Sequence, residues 1–220
     1  MSINENYLTK ENIASKTDKW MADLDIPPKR KDNFKYSSKN SALLVIDMQD
    51  FFLKKESHSY IPAATTIIPN INQIITKYRT LNKLIIFTFH ALEVNEDPGV
   101  MGKWWGDMLR VNNPLAKIHS SVDFRDNDII FRKNRYSAFI GTDLDQILRE
   151  NQIDTLIITG IMTHLCCETT ARDAFMRDYD IFFVVDATAT ETETLHISSL
   201  RTLTDGFAIP IRTSEILMET

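Results

Sequence analysis

The sequence predicts an α/β chain folded as a three-layer α/β/α sandwich, with helices on both faces of a parallel sheet. Two patterns carry that expectation. Short apolar runs rich in Ile, Val and Phe recur without polar alternation, and such runs suit strands covered on both faces, the condition of a parallel sheet. Between them lie stretches with apolar residues at helical spacing. Strand and helix therefore alternate, and right-handed crossovers lay the helices over both sides of the sheet.

Residues 1–40 are polar, with "PPKRKDN" at 27–33, and are expected to form an N-terminal extension that packs over the body or against a partner. Residues 41–220 form the body. Its expected strands are "ALLVID" (42–47), "LIIFTF" (84–89), "DIIF" (128–131), "TLIITG" (155–160) and "IFFVVDA" (181–187). "FAIPI" (207–211) is a candidate short last strand, with Pro210 arguing against it. The spacing of Ile67, Ile71, Ile74, Ile75, Tyr78 and Leu81 predicts a helix with one apolar face. "TDLDQILREN" opens with Thr142 and places Asp145 three residues on, which predicts a capping box. Leu200, Leu203 and Phe207 mark a further helix in 191–206, and "GKWWGD" reads as a glycine-flanked loop.

Composition excludes several classes of function. The chain has 220 residues, 43% hydrophobic and 25% charged, with net charge -5, and no basic stripe, so no nucleic-acid partner is expected. No run of roughly 18 apolar residues appears, so no membrane partner is expected either. The first 20 residues lack a signal-peptide core, and the expected location is cytoplasmic. The only two cysteines, Cys166 and Cys167, are adjacent. Neighbours make poor disulfide partners, and no zinc-knuckle spacing surrounds them.

In open α/β sheets, ligands bind beyond the carboxyl ends of the strands. Asp47 ends the first run, Lys133 follows "DIIF", and Cys166 lies just past "TLIITG". A carboxylate, an ammonium and a thiol from three strand ends can thus converge. A helix N-terminus or a neighbouring cation lowers the pKa of a thiol. Here "CCETTARDAFMRD" supplies the helix and Lys133 the cation, Asp47 is the acid-base, and backbone N–H groups of the turn 161–166 supply an oxyanion hole. Each residue also has a plainer reading: a buried Cys as core filler, Asp as a turn residue, Lys as a solvated charge.

"LLVIDMQDFF", "WWGDML", "KNRYSAF" and "GIMTHLCCETTARDAFMRDY" together resemble the isochorismatase-like hydrolase superfamily over roughly residues 41–217. That superfamily includes nicotinamidases, N-carbamoylsarcosine amidases and isochorismatases. The resemblance implies a six-stranded parallel Rossmann-like sheet and an Asp-Lys-Cys triad at Asp47, Lys133 and Cys166. It also chooses between the cysteines, because the family's nucleophile stands six residues after the glycine that is Gly160 here. Cys167, about 100° further around a helix, then faces the interior. A cis peptide at Ile161-Met162 is implied, with the N–H groups of Met162 and Cys166 as the oxyanion hole. Metal-dependent members use an Asp with a His two residues on, whereas Asp50 is followed by Phe51 and Phe52; no metal or cofactor is expected. Members form homodimers or homotetramers, and the same is expected of this chain.

Two stretches, "KNRYSAF" and "TTARDAFMRD", are similar to siderophore-pathway isochorismatases, which cleave a vinyl ether. Those enzymes carry Gly where this chain has Cys166 and keep a Cys at the position of Cys167, and some carry a fused carrier-protein domain that a chain of 220 residues is expected to lack. A vinyl ether is opened by protonation and water, with no need of a thiol. The favoured reading is therefore a cysteine hydrolase that opens a C-N bond of a small amide or carbamoyl substrate through a thioester. Isochorismate hydrolysis and a non-enzymatic binding protein on the same fold are the alternatives. Phe52, His90, Trp104, Trp105 and Tyr136 are candidate substrate-binding residues, each with core or loop packing as the competing role. Arg135 is a candidate partner for a substrate carboxylate or for a structural ion pair. His164 faces either the pocket or a subunit neighbour, and His58, His119 and His196 read as surface or packing residues.

Overall fold

The computed structural model describes residues 4–219. Six strands form one sheet, β1 (Ser41–Ile46), β2 (Leu84–His90), β3 (Ile129–Lys133), β4 (Thr155–Ile161), β5 (Asp180–Ala189) and β6 (Ile209–Ile211). Their order is β3-β2-β1-β4-β5-β6, and every neighbouring pair is parallel. The central strands β1 and β4 are buried along their whole length, as uninterrupted apolar runs require. β6 is confined to three residues at the sheet edge with Pro210 inside it, where a missing N–H costs no ladder bond.

Ten helices accompany the sheet among the described residues: α1 (Ile13–Asp23), α2 (Pro28–Asn33), α3 (Asp50–Leu53), α4 (Pro62–Thr66), α5 (Ile68–Thr80), α6 (Gly99–Trp105), α7 (Leu144–Glu150), α8 (Glu168–Phe175), α9 (Glu193–Gly206) and α10 (Thr213–Met218). From β1 the chain winds outward through β2 to β3, then returns and winds the other way from β4 to β6. Right-handed crossovers consequently put α5 on one face and α8 and α9 on the other. The direction changes between β1 and β4. That is the switch point where the carboxyl ends of strands leave a crevice.

Three local expectations are revised. The apolar face lies on α5, where Ile71, Ile74, Ile75 and Tyr78 are buried, but the helix is shorter than the pattern: Ile67, also buried, sits between α4 and α5, and Leu81, just past α5, is exposed. The capping box at Thr142 does not form: its hydroxyl donates to the carbonyl of Ala138, and Asp145 accepts from the Tyr179 hydroxyl instead. "GKWWGD" is not a plain loop, because Gly99–Trp105 is helical and Gly106, at φ 78, ends the helix.

Residues before β1 pack on the same core as the sheet. Tyr7, Leu8, Trp20 and Leu24 are buried in it, the Tyr7 hydroxyl accepts from the Thr190 N–H, and the Trp20 indole donates to Glu193. None of the helices is long and apolar enough to cross a membrane.

Candidate active site

The chain leaves β1 at Asp47, whose φ of 52° lies in the left-handed region, one that Asp enters more readily than most residues. Its N–H donates to the carbonyl of Thr88 at 3.1 Å, and the Thr88 hydroxyl donates to Asp47 Oδ1 at 2.7 Å. Lys133 ends β3 in register with His90 of β2. Its Nζ stands 2.7 Å from Asp47 Oδ2, 3.1 Å from Cys166 Sγ and 3.0 Å from the carbonyl of Arg135. An ammonium has three N–H donors, and three acceptors surround this one. Asp47, Lys133 and Cys166 are all buried, at 0%, 1% and 5% exposure.

Gly160 makes the convergence possible. At φ 106°, a Cβ built there would meet the Ile46 carbonyl oxygen at 2.1 Å, so only glycine lets β4 run this close to the end of β1. The cis peptide Ile161-Met162 follows, then a π turn over Thr163–Cys167 that leads into α8. Cys166 thus stands on the π turn, not on α8 itself. Cys167, one residue on, is fully buried, with its sulfur 3.9 Å from the carbonyl of Thr159.

The electrostatics revise the expectation of a depressed thiol. Burial pushes the Cys166 thiol up to about 12, with Lys133 pulling the other way and losing. Burial also works against the Lys133 ammonium, but Asp47 and Cys166 outweigh it and its pKa is raised. The resting cluster is therefore a neutral thiol beside an ammonium-carboxylate pair. The reason is dehydration: one cation shared with a carboxylate does not compensate a sulfur anion for the water it has lost.

Cys166 lines a cavity of about 380 Å³. Phe52, His90, Trp105 and Tyr136 line it too, together with Met162. The Trp105 indole N–H donates to the Tyr136 hydroxyl at 2.7 Å, which fixes both rings. Trp104 is a correction: it is 78% exposed and absent from the lining, because one step along α6 turns its side chain about 100° away from that of Trp105. Burial lowers His90 to about 4, and its Nδ1 has no partner among the described residues. His164 bonds Thr190 at 2.7 Å and does not line the cavity. Arg135 donates to the carbonyl of its neighbour Asn134 and is likewise absent from the lining.

Several residues escaped sequence reasoning. Thr88 orients Asp47; its signal is a hydroxyl inside an otherwise apolar strand. Gln49 bonds both backbone polar groups of His90 through its amide, and no local pattern announces that. His58 reaches the cavity, with its ring 5.2 Å from that of Phe51, and Glu191 enters the wall from the loop after β5. Asp50, at the position where metal-dependent relatives begin their motif, pairs with Lys54 at 3.1 Å and Lys117 at 3.8 Å.

A parallel α/β sandwich whose first, third and fourth strands end in a buried carboxylate, ammonium and thiol defines a class of hydrolase fold. The model of the isochorismatase domain matches residues 41–215, and the chain belongs to the isochorismatase family of hydrolases. Nicotinamidase 3 of Arabidopsis thaliana is 37% identical over 175 residues, covering 78% of this chain and 84% of that protein. Enterobactin synthase component B of Escherichia coli K12 is 32% identical over 191 residues, covering 86% and 67%. Among solved structures, a cysteine hydrolase from Pseudomonas syringae superposes with a TM-score of 0.80 at 26% identity, covering 84% of this chain and 93% of that one. N-carbamoylsarcosine amidase of Thermoplasma acidophilum does so with 0.69 at 26%, covering 79% and 96%.

Proposed function

We propose that this hydrolase opens the C-N bond of a small amide or carbamoyl compound through a thioester on Cys166. The observation that carries the reading is the contact of the Cys166 sulfur with Lys133 at 3.1 Å, with Asp47 2.7 Å from the same ammonium, on the wall of an aromatic cavity. The thiol holds its proton at rest, so Asp47 takes that proton as sulfur attacks the carbonyl carbon, and Lys133 balances the sulfur anion during the transfer. The N–H groups of Met162 and Cys166 receive the oxyanion, and Asp47 returns the proton to the departing nitrogen. Water, deprotonated by Asp47, then attacks the thioester; the acid leaves and the thiol is reprotonated.

Amidases among the relatives support this reading, as does the thiol itself. Isochorismate hydrolysis, the activity suggested by the similarity to isochorismatases, requires a proton donor but no nucleophilic sulfur. The test is ammonia release from a panel of small primary amides, with hydroxylamine present to trap an acyl-enzyme as hydroxamate. The expected result is hydroxamate from wild type and none from Cys166→Ala. Pyruvate release from isochorismate that survives Cys166→Ala, with no amide turned over, overturns the proposal.

A further inference from the structure

The cavity wall has a charge pattern that the acyl-transfer chemistry does not use. Among the described residues no Lys or Arg lines it, and Lys133, beneath it, has all its donors engaged by Asp47, Cys166 and Arg135. His90 is neutral near pH 7 because burial lowers it to about 4. The charged lining residues are two acids, Glu191 and Asp107. Asp107 is exposed at the rim, whereas Glu191 is part-buried, and among the described residues its side chain makes no ion pair or hydrogen bond.

Glu191 is nevertheless held in place. Its carbonyl accepts from the Glu5 N–H at 2.8 Å, the Glu193 N–H donates to Glu5 Oε2 at 3.1 Å, and the preceding Thr190 N–H donates to the Tyr7 hydroxyl. The segment before β1 thus anchors this corner of the wall. Burial raises the Glu191 pKa, the behaviour of a carboxylate that has lost water and gained no cation. The rest of the wall is aromatic. Phe51 and Phe52 meet edge to face at 5.0 Å, and Trp105 and Tyr136 are joined by their hydrogen bond.

An aromatic wall with two acids that make no ion pair among the described residues, Glu191 part-buried and Asp107 exposed, attracts a compact organic cation, through the rings and through the charge together. It repels a substrate bearing carboxylates, which finds no cation to receive it. We propose that the substrate of this enzyme is a small amide carrying an ammonium or alkylammonium group, with Glu191 as its counter-charge. The inference rests on the amidase reading for the bond that is cut, but not for the recognition of charge.

Three amides of similar size separate the two: trimethylammonio-acetamide, its neutral isostere tert-butylacetamide, and anionic succinamate. Ammonia release is measured for each with wild type and Glu191→Gln, and calorimetric binding of each to wild type is measured alongside. The expected wild-type preference for the cation over its neutral isostere is about tenfold or more in kcat/KM, with succinamate poorest. Glu191→Gln should bring the ratio between cation and isostere close to one; a ratio within one variant is insensitive to its overall stability. Equal or inverted preference in wild type, or a preference untouched by Glu191→Gln, overturns the inference. If no amide is hydrolysed but the cation still binds about tenfold more tightly than its isostere, the amidase reading fails and the recognition stands. If neither turnover nor binding favours the cation, the recognition is wrong whatever the chemistry.

Discussion

Two buried clusters adjoin the π turn, and each holds a threonine bonded to a titratable partner. On the cavity side are Cys166, Lys133, Asp47 and Thr88. The second comprises Thr163, His196 and Trp20, with the Thr163 hydroxyl 2.9 Å from His196 Nδ1 and the His196 ring 4.6 Å from that of Trp20; Cys167, buried next to Cys166, has its sulfur 3.9 Å from the carbonyl of Thr159. Burial acts alike on both: the Cys166 thiol rises to about 12, Cys167 rises well above its ordinary value, and His196 falls to about 3. The difference is the ion pair. At Cys167 and His196, dehydration keeps the thiol and the imidazole neutral and inert. On the cavity side an ammonium and a carboxylate are already charged and in contact, so a proton has somewhere to go and the charge left on sulfur has a partner. In the reaction proposed above, it is this ion pair, and not burial, that would equip Cys166 as the nucleophile.

The largest effect that would break the comparison is in catalysis. Cys166→Ala should lower turnover of an amide substrate by about 10⁴-fold or more, while Cys167→Ala should leave it within a few-fold and cost about 1 kcal/mol of stability for the sulfur removed from the core. Steady-state rates and denaturant unfolding read the two. Equal losses would mean that the neighbours are not divided by the turn. Next in size is Lys133→Met. It leaves Asp47 buried without its cation, and breaking such a pair costs about 3–5 kcal/mol, visible as a lower denaturation midpoint. If the comparison is sound, Asp47→Asn added to Lys133→Met restores much of that stability and none of the activity.

The sequence carried the frame of this site better than its energetics. β1 and β4 were legible because strands buried on both faces leave an unmistakable apolar run, and strand ends in such sheets mark a crevice; Asp47 and Lys133 followed from that alone. The preference for Cys166 over Cys167 came only with the family resemblance, through its spacing from Gly160, a glycine whose role is steric and involves Ile46 on another strand. α6 read as a loop because Gly99, Gly102 and Gly106 lower helix propensity, yet only Gly106 breaks the helix. The direction of the Cys166 shift is not legible in the sequence, since a neighbouring cation is visible there while the dehydration that outweighs it comes from residues scattered along the chain. Glu191 was invisible for the same reason: it reaches the cavity through a loop fixed by residues 5 and 7.

The second cluster should reveal itself through pH. His196 titrates near 6.5 when unfolded and at about 3 when folded. Between those values the unfolded chain binds a proton that the folded chain refuses, so stability is complete above pH 6.5 and falls as pH drops towards 3. The slope is at most about 1.4 kcal/mol per pH unit for this one group. His90, lowered to about 4, adds a loss of the same sign. Unfolding by urea at a series of pH values should show the decline, and His196→Gln should flatten it while His90 continues to contribute. An unchanged slope in that variant would place the acid sensitivity on the cavity side.

The smallest effect compares the two threonines. Thr88→Val removes the hydroxyl that donates to the Asp47 carboxylate, and a hydrogen bond to a charged group contributes about 1.5–3 kcal/mol. Thr163→Val removes a bond to a neutral imidazole, worth about 0.5–1.5 kcal/mol. Both should lower stability by those amounts, the first more than the second. Their effects on turnover should diverge further, because Asp47 without Thr88 is free to rotate away from the sulfur. A loss of about tenfold in kcat, or 1.4 kcal/mol of barrier, is expected for Thr88→Val, with KM little changed. Thr163→Val should stay within about threefold, a barrier change well under 1 kcal/mol. If the two variants lose activity in proportion to their stability alone, the hydroxyl on the cavity side holds the fold and does not aim the carboxylate.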